Sequence, residues 1–390
     1  MIRVVLMTDF SESYANKLVK GMAKYSFEHT PIAMCKMPLS VYTSGGLEKV
    51  LEFALKWKAD AIIGQFRDGD DVDIFRRNGI FAIAQDNIKR FKGITNITSD
   101  YEREGRICAQ YLIKQGARNF GFYGLSGRVW SDERKEGFMS EIEETLDDAG
   151  ISVIERPCME EIWWYDMGRV TEWLRSLPKP VAILACDDNI AFNIIEACNQ
   201  LNESGMHIPD DVMLLGVDDD DSLCQLCSPT LSSYRPMIEQ AGYNVAKMLD
   251  ERMKMPIAKR FEELGDIYVH MGSIVTRRST DVFFHENPYI KKVCDYIQKH
   301  YTENIKVDEL VALIPMSRRL LEKLFANDMK VSIHQFIIHL RINRMITLLT
   351  QGMSPQEAAN AMGMDLKPLS RSFKVVVGKA PSEYAKGIRS

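Results

Sequence analysis

Apolar and polar positions along the first 276 residues alternate between two patterns. Short apolar runs at 2–7, 61–63, 80–84, 94–98, 120–123, 182–185 and 212–217 have strand length and polar borders. Between them lie longer stretches in which apolar residues recur every three or four positions, at 16–27, 45–57, 104–115, 133–149, 165–177 and 190–201. Leu18, Val19, Met22 and Ala23 form one such stripe. Alternation of this kind predicts βαβ units and parallel sheets. It runs too long for one simple sheet, so two α/β lobes are expected.

After residue 288 the pattern is helical throughout. In 306–325 (KVDELVALIPMSRRLLEKLF) a short helix carries Leu310, Val311 and Ile314 inward and stops at Pro315. Ser317 is placed to cap a second helix. There Leu320, Leu321, Leu324 and Phe325 are expected inside, and Arg318, Arg319, Glu322 and Lys323 outside. The stretch 354–374 repeats the scheme. Ser354 caps a helix with Pro355 at its first position, small Ala358, Ala359 and Ala361 allow close packing, and Gly363 ends it. A basic helix from about Pro368 then exposes Lys367, Ser370, Arg371 and Lys374. Residues 333–349 are periodic for one longer connecting helix. Two units of short helix, turn and basic helix point to DNA binding, with a plain seven-helix bundle as the alternative.

Charge sharpens this division. The net charge is −5 over 390 residues, with 26% charged and 46% hydrophobic residues. Residues 288–390 hold 16 Lys and Arg against 9 Asp and Glu, a surplus of seven positive charges, whereas residues 1–287 carry −12. A basic tail on an acidic body fits nucleic-acid binding confined to the tail. Eight scattered cysteines form no disulfide framework, and the first ten residues read as a strand rather than a signal peptide. No run has the length of a membrane helix, so a cytoplasmic protein is expected.

In open parallel sheets ligands bind outside the carboxyl ends of the strands. Those ends are polar here. The first strand leads to Asp9, Ser13 and Tyr14, the strand at 80–84 to Gln85 and Asp86, and the strand at 120–123 to a loop with Trp130, Asp132 and Arg134. The strands at 182–185 and 212–217 lead to Asp187, Asp188 and Asn189, and to Asp218 through Asp221. Carboxylates accept hydrogen bonds from adjacent hydroxyls, an arginine donates, and aromatic rings cover a sugar's C–H face. Such a cleft suits a neutral polyol. Taken singly, an aspartate after a strand is more often a helix cap. The expected ligand-binding set is Ser13, Tyr14, Gln85, Trp130, Arg134, Asp187 and Asp218.

Two family resemblances rest on these residues. The tail resembles the AraC-type DNA-binding domain through Leu310, Val311, 317–325, Arg341, Arg344, Met345, Leu348, Leu349, Ala358, Ala359, Gly363, Phe373, Lys374 and GKAPSEY at 378–384. Met364 stands where that family usually has an aromatic residue, and 363–373 is one residue short. Residues 1–276 resemble the ligand-binding core of lac-repressor-type regulators and periplasmic sugar-binding proteins. The matching segments are RKEGF at 134–138, CDDNIAF at 186–192, IPDDVMLLGVDDDD at 208–221, SPTLSSY at 228–234 and GYNVAKML at 242–249. That resemblance implies sugar contacts for Arg134, Asp187 and Asp218, and Asp187 stands where asparagine is common. The combination resembles the xylose operon regulators, which implies a pentose effector, D-xylose first. The function expected is a sugar-responsive transcription regulator, an activator first, acting as a homodimer on double-stranded operator DNA with RNA polymerase as a further partner; the alternatives are a regulator sensing another sugar or small metabolite and a sugar-binding receptor that does not act on DNA. The implied fold is a two-lobed, periplasmic-binding-protein-like α/β core with parallel sheets, followed by an all-α domain with two helix-turn-helix units. Lobe one is expected at about 1–100 and 236–258, lobe two at about 102–233 and 262–276, a linker at 277–287 and the DNA-binding domain at 288–390.

Other chemistry has little support. Cys224 and Cys227 have zinc-ligand spacing without a second pair nearby. Asp218 through Asp221 lack the glycine and spaced ligands of a calcium loop. Trp163 and Trp164 read as packing residues, with a sugar platform as the alternative. There is no phosphate loop, G-x-S-x-G or H-E-x-x-H. No cofactor, metal or catalytic residue is expected, and the lobed pattern argues against a glycosidase.

Overall fold

The computed structural model describes all residues except 147–148, 158–166, 202–205, 263–264, 282–287, 330, 351–352 and 390. Trp163, Trp164, the ends of the expected helices at 147–148 and 165–166, and 282–287 of the expected linker therefore lie outside the described residues. The chain divides into two compact units, Met1–Val282 and Phe283–Ser390.

The first unit opens with β1 (Ile2–Met7), α1 (Ser13–Glu28), β2 (Ile32–Lys36), α2 (Leu39–Lys56), β3 (Ala61–Gly64), α3 (Asp73–Arg77), β4 (Phe81–Gln85) and β5 (Thr95–Thr98). It continues through α4 (Tyr101–Lys114), β6 (Asn119–Ser126), α5 (Val129–Thr145), β7 (Gly150–Pro157), α6 (Met167–Ser176), β8 (Val181–Ala185), α7 (Asp188–Leu201) and β9 (Val212–Val217). It ends with α8 (Asp221–Leu226), β10 (Ser232–Arg235), α9 (Ile238–Met253), α10 (Ile257–Arg260), β11 (Ile267–Tyr268) and β12 (Ser273–Val275).

The strands form two sheets, ordered β11-β5-β4-β3-β1-β2 and β12-β10-β9-β8-β6-β7. All pairings are parallel except β10 with β12. Helices on both faces explain the near-continuous apolar strands. In lobe one Val4, Leu6 and Ile63 pack toward α1 and α9 through Leu18, Met22, Val245 and Leu249. Their chain neighbours Val5, Met7 and Ile62 pack on the other side against Val50, Ala54 and Phe75.

The last crossing between lobes differs from the expected one. Residues 262–276 are expected in lobe two, but β11 pairs with β5 of lobe one, whereas β12 joins the second sheet. The chain crosses between these two short strands because β5 leaves an open sheet edge that Ile267 and Tyr268 fill. The expected linker also begins too early. Ser279 and Thr280 are buried, and Ser279 Oγ donates to Leu214 O at 2.6 Å. Residues 277–281 are therefore stitched onto lobe two.

The second unit contains α11 (Pro288–His300), α12 (Val307–Ala312), α13 (Arg318–Met329), α14 (Ile333–Thr350), α15 (Pro355–Ala361), α16 (Leu366–Val377) and α17 (Pro381–Arg389). It has two cores. Ile290, Ile297, Leu310, Leu321, Phe325 and Phe336 build the first; Met345, Leu349, Ala358, Leu369 and Phe373 build the second. α14 contributes its first half to one and its second half to the other. Ser354 and Glu357 form a reciprocal capping box at α15. Leu320, expected inside, is 45% exposed. It lies one position before Leu321, off the stripe shared by Leu321, Leu324 and Phe325. α16 starts at Leu366 rather than Pro368, following Asp365 in extended conformation.

Candidate functional site

Lobe two presents Arg134 from α5. That helix approaches α4 so closely that a Cβ on Gly105 would lie 2.1 Å from Arg134 O, and one on Gly137 would lie 1.8 Å from Glu102 O. Only glycine permits this contact, and the contact sets where Arg134 begins. Its guanidinium is then fixed. Nη2 and Nε donate to Glu104 Oε2 at 2.7 and 3.3 Å, and Nη1 donates to Cys186 O at 2.7 Å. Ser99 Oγ holds the other oxygen of Glu104 at 2.7 Å. The rings of Tyr101 and Trp130 lie 5.4 and 5.8 Å from Arg134 Cζ. Three of its five N–H groups are thus committed, and two remain for a ligand.

Arg134, Glu104, Tyr101 and Trp130 line a cavity between the lobes, together with Glu12, Tyr14, Gln85, Asp86, Asp187 and Asp218. Gln65, Ser99, Asn189, Pro236 and Val269 complete the lining. Thr8 Oγ1 donates to Gln85 Oε1 at 2.6 Å, so Gln85 offers its nitrogen end to the cavity. The Tyr14 hydroxyl is buried with no partner. Ser13 has the same buried, unpartnered hydroxyl but is not part of the lining, because it sits one position around α1 from Tyr14. Six of the seven expected ligand residues thus line one cavity.

The two key aspartates differ. Asp187 does cap a helix: its Oδ1 accepts from Ile190 N at 2.7 Å. It lines the cavity as well. Asp218 is no cap, since α8 is capped by Asp220, whose Oδ1 accepts from Ser222 N and Leu223 N. Asp218 instead sits in the left-handed region, at φ 94°, which a non-glycine residue adopts only at a cost of about 1–3 kcal/mol. Asp188, one position on from Asp187, is structural, accepting from Ser233 Oγ and Asp220 N.

Carboxylates from both lobes meet here. Burial and then the charges of Asp187, Asp9 and Asp218 push Glu12 up to about 8. Burial lifts Asp218 to about 6, against the pull of Arg134, and burial also raises Asp187. Asp86 is lifted to about 6 by burial, with Arg90 opposing. Acceptor-rich walls around two free arginine donors favour a ligand with many hydroxyls. Glu12, Gln65, Ser99, Tyr101, Glu104, Pro236 and Val269 were not among the expected residues. Glu12 lies within the polar stretch after β1, which was the available signal. Both thiols of the Cys224–Cys227 pair are buried, Cys224 Sγ faces Asp188 Oδ2 at 3.4 Å, and among the described residues no group of three or more His, Cys, Asp or Glu is placed to hold a metal ion.

In the second unit Arg319, Glu322, Lys323, Lys367, Arg371 and Lys374 are exposed on α13 and α16, and Ser370 is half-buried. Ser317 Oγ accepts from Leu320 N at 3.4 Å. Arg318 is exposed but tied to Glu322 and Asp308.

Residues 109–280 match the family model of the periplasmic binding protein-like domain, and residues 310–387 match that of a helix-turn-helix domain. The xylose operon regulatory protein of Escherichia coli (strain K12) is 24% identical across 98% of this chain and 96% of its own length. The protein of that name from Haemophilus influenzae is also 24% identical, over 90% and 88%. Among solved structures, that of the xylose-binding transcription activator xylR superposes with a TM-score of 0.60 at 23% identity, covering 99% of this chain and 98% of that one. A LacI family transcriptional regulator from Enterococcus faecium with bound ribose gives 0.58 at 18% identity, over 72% of this chain and 98% of that one.

Proposed function

We propose that this chain, a two-lobed periplasmic binding protein-like core followed by a helix-turn-helix domain, is a sugar-responsive transcription regulator whose effector is a pentose, D-xylose first. The observation that carries this reading is the interlobe cavity lined by Arg134, Asp187, Asp218, Tyr14, Gln85 and Trp130, in a chain that continues into two helix-turn-helix units. Similarity to xylose operon regulatory proteins over nearly the full length supports the choice of sugar.

In this reading Asp187 and Asp218 accept hydrogen bonds from adjacent sugar hydroxyls. The two uncommitted N–H groups of Arg134 donate to a third oxygen, and Trp130 and Tyr14 cover the ring. Sugar shifts the balance between lobe arrangements only as far as it binds one better than the other. The regulator acts as a homodimeric activator on double-stranded operator DNA, with α13 and α16 in successive major grooves and RNA polymerase as a further partner. Calorimetric titration of the full chain with D-xylose, L-arabinose, D-ribose and D-glucose tests the effector. D-Xylose should bind at least tenfold more tightly than the others, about 1.4 kcal/mol. Absence of heat with all four would remove the sugar reading.

A further inference from the structure

Asp218 and Asp219 follow β9 with φ of 94° and 50°, two consecutive non-glycine residues in the left-handed region. Strain of this kind persists only where the surroundings hold it. Here the restraints come from three directions. From lobe one, Lys17 Nζ on α1 donates to the main-chain oxygens of Asp218 and of Asp219, the latter at 2.6 Å. From lobe two, Ser233 Oγ and Asp219 N are 2.9 Å apart, and Arg235 pairs with the Asp219 carboxylate. The third is Arg277, whose Nη2 lies 2.7 Å from Asp219 Oδ1 as an ion pair without hydrogen-bond geometry. The Asp219 side chain is only 1% exposed.

Arg277 opens the segment through which the core ends. Its Nη1 donates to Leu231 O at 2.8 Å, and its main-chain N–H donates to Ser232 Oγ at 2.7 Å. Ser279 N donates to Thr230 O at 3.0 Å. Asp219 thus touches, within one residue of the cavity wall, both the cross-lobe lysine and the exit segment.

We infer that Asp219 is a positioning residue that ties closure of the cleft to the exit segment at 277–280, from which the chain passes to the DNA-binding unit. Closing brings Lys17 onto the 218–219 turn, the turn sets the Asp219 carboxylate, and the carboxylate sets Arg277. The inference builds on the reading of the cavity as an effector site, but its test needs no effector.

The experiment is hydrogen–deuterium exchange of the Arg277 and Ser279 amides in the full chain without ligand. Lys17→Met should raise exchange at both by about fivefold or more, the lower bound of ordinary coupling between sites. Lys17→Arg, which keeps donors, should preserve protection. Lys20→Met removes an ion pair from the same helix that stays within lobe one, to Glu239 at 2.6 Å, and should leave both amides unchanged. In an Asp219→Asn background, Lys17→Met should add nothing. If that background does not fold, Arg277→Gln read at Ser279 replaces it. Unchanged exchange in Lys17→Met, an equal rise in Lys20→Met, or a full Lys17 effect without Asp219 or Arg277 would each overturn the inference. D-Xylose added to the wild type is a separate arm. If calorimetry shows no binding, the sugar reading fails while the Lys17–Asp219 result stands.

Discussion

At the scale of single residues, Asp218 carries the most weight. Because Asp220 caps α8, Asp218→Asn removes no cap and should leave thermal stability nearly unchanged. It does convert an acceptor of hydroxyl protons into a partial donor, losing a charge-assisted bond worth roughly 1.5–3 kcal/mol. Sugar affinity should therefore fall at least tenfold, read by titrating both proteins side by side. Unchanged affinity in the folded variant would take Asp218 out of the site. The carboxylates also set a pH dependence. Glu12 is raised to about 8 in the folded chain, so between its unfolded value and about 8 the folded state holds the extra proton. Stability of the ligand-free protein from this group is then present at low pH and lost as pH rises toward 8. Melting temperatures across that window should show a fall that Glu12→Gln reduces. Asp187, Asp218 and Arg134 were legible because strand ends and a short motif locate them. Glu104 was not: it opens a periodic helix as an ordinary polar residue, and its partner Arg134 lies thirty positions away. Its face became evident only once Gly105 and Gly137 brought α4 onto α5.

At the scale of elements, hydrophobic period decided most of what could be read. Apolar strands covered on both faces, such as β1, β8 and β9, stand out from their surroundings. β2, whose Ala33, Met34 and Cys35 are half-buried and whose Lys36 is exposed, and β10, with the sequence SSYR, do not. In the second unit the period gave α13 and α14, and it failed at Leu320 because neighbouring leucines leave the edge of the stripe ambiguous. α16 begins two residues before Pro368 for a different physical reason. Proline is tolerated anywhere in the first turn, where its missing N–H has no partner to lose. Helices α13 and α16, taken as the groove-reading helices of the proposed function, carry a separate expectation. Arg319→Ala and Arg371→Ala should weaken footprint protection in different segments, centred about one helical turn or ~10 bp apart on one DNA face. Loss over the same few base pairs in both variants would contradict a two-groove arrangement.

At the scale of the whole molecule, the division into Met1–Val282 and Phe283–Ser390 follows the change from mixed to purely helical periodicity and the change of charge sign. Among the described residues, the two cores of the second unit are built from residues of that unit. A fragment of residues 285–390 should therefore fold alone and bind DNA with a steep salt dependence. With about six phosphate contacts its affinity would drop ~10³-fold between ~50 and ~200 mM salt. The late lobe crossing and the docking of 277–281 on lobe two were not legible, since two short strands and a polar turn carry almost no hydrophobic signal.

In the proposed function, sugar and DNA binding are coupled within one chain. Anisotropy titration of the full-length protein onto double-stranded DNA recovered by in vitro selection, with and without saturating D-xylose, paired with calorimetry of D-xylose in the presence and absence of that DNA, measures this coupling. The sugar should shift DNA affinity by about fivefold or more, and DNA should shift sugar affinity by the same factor. DNA affinity that is identical with and without bound sugar would contradict it.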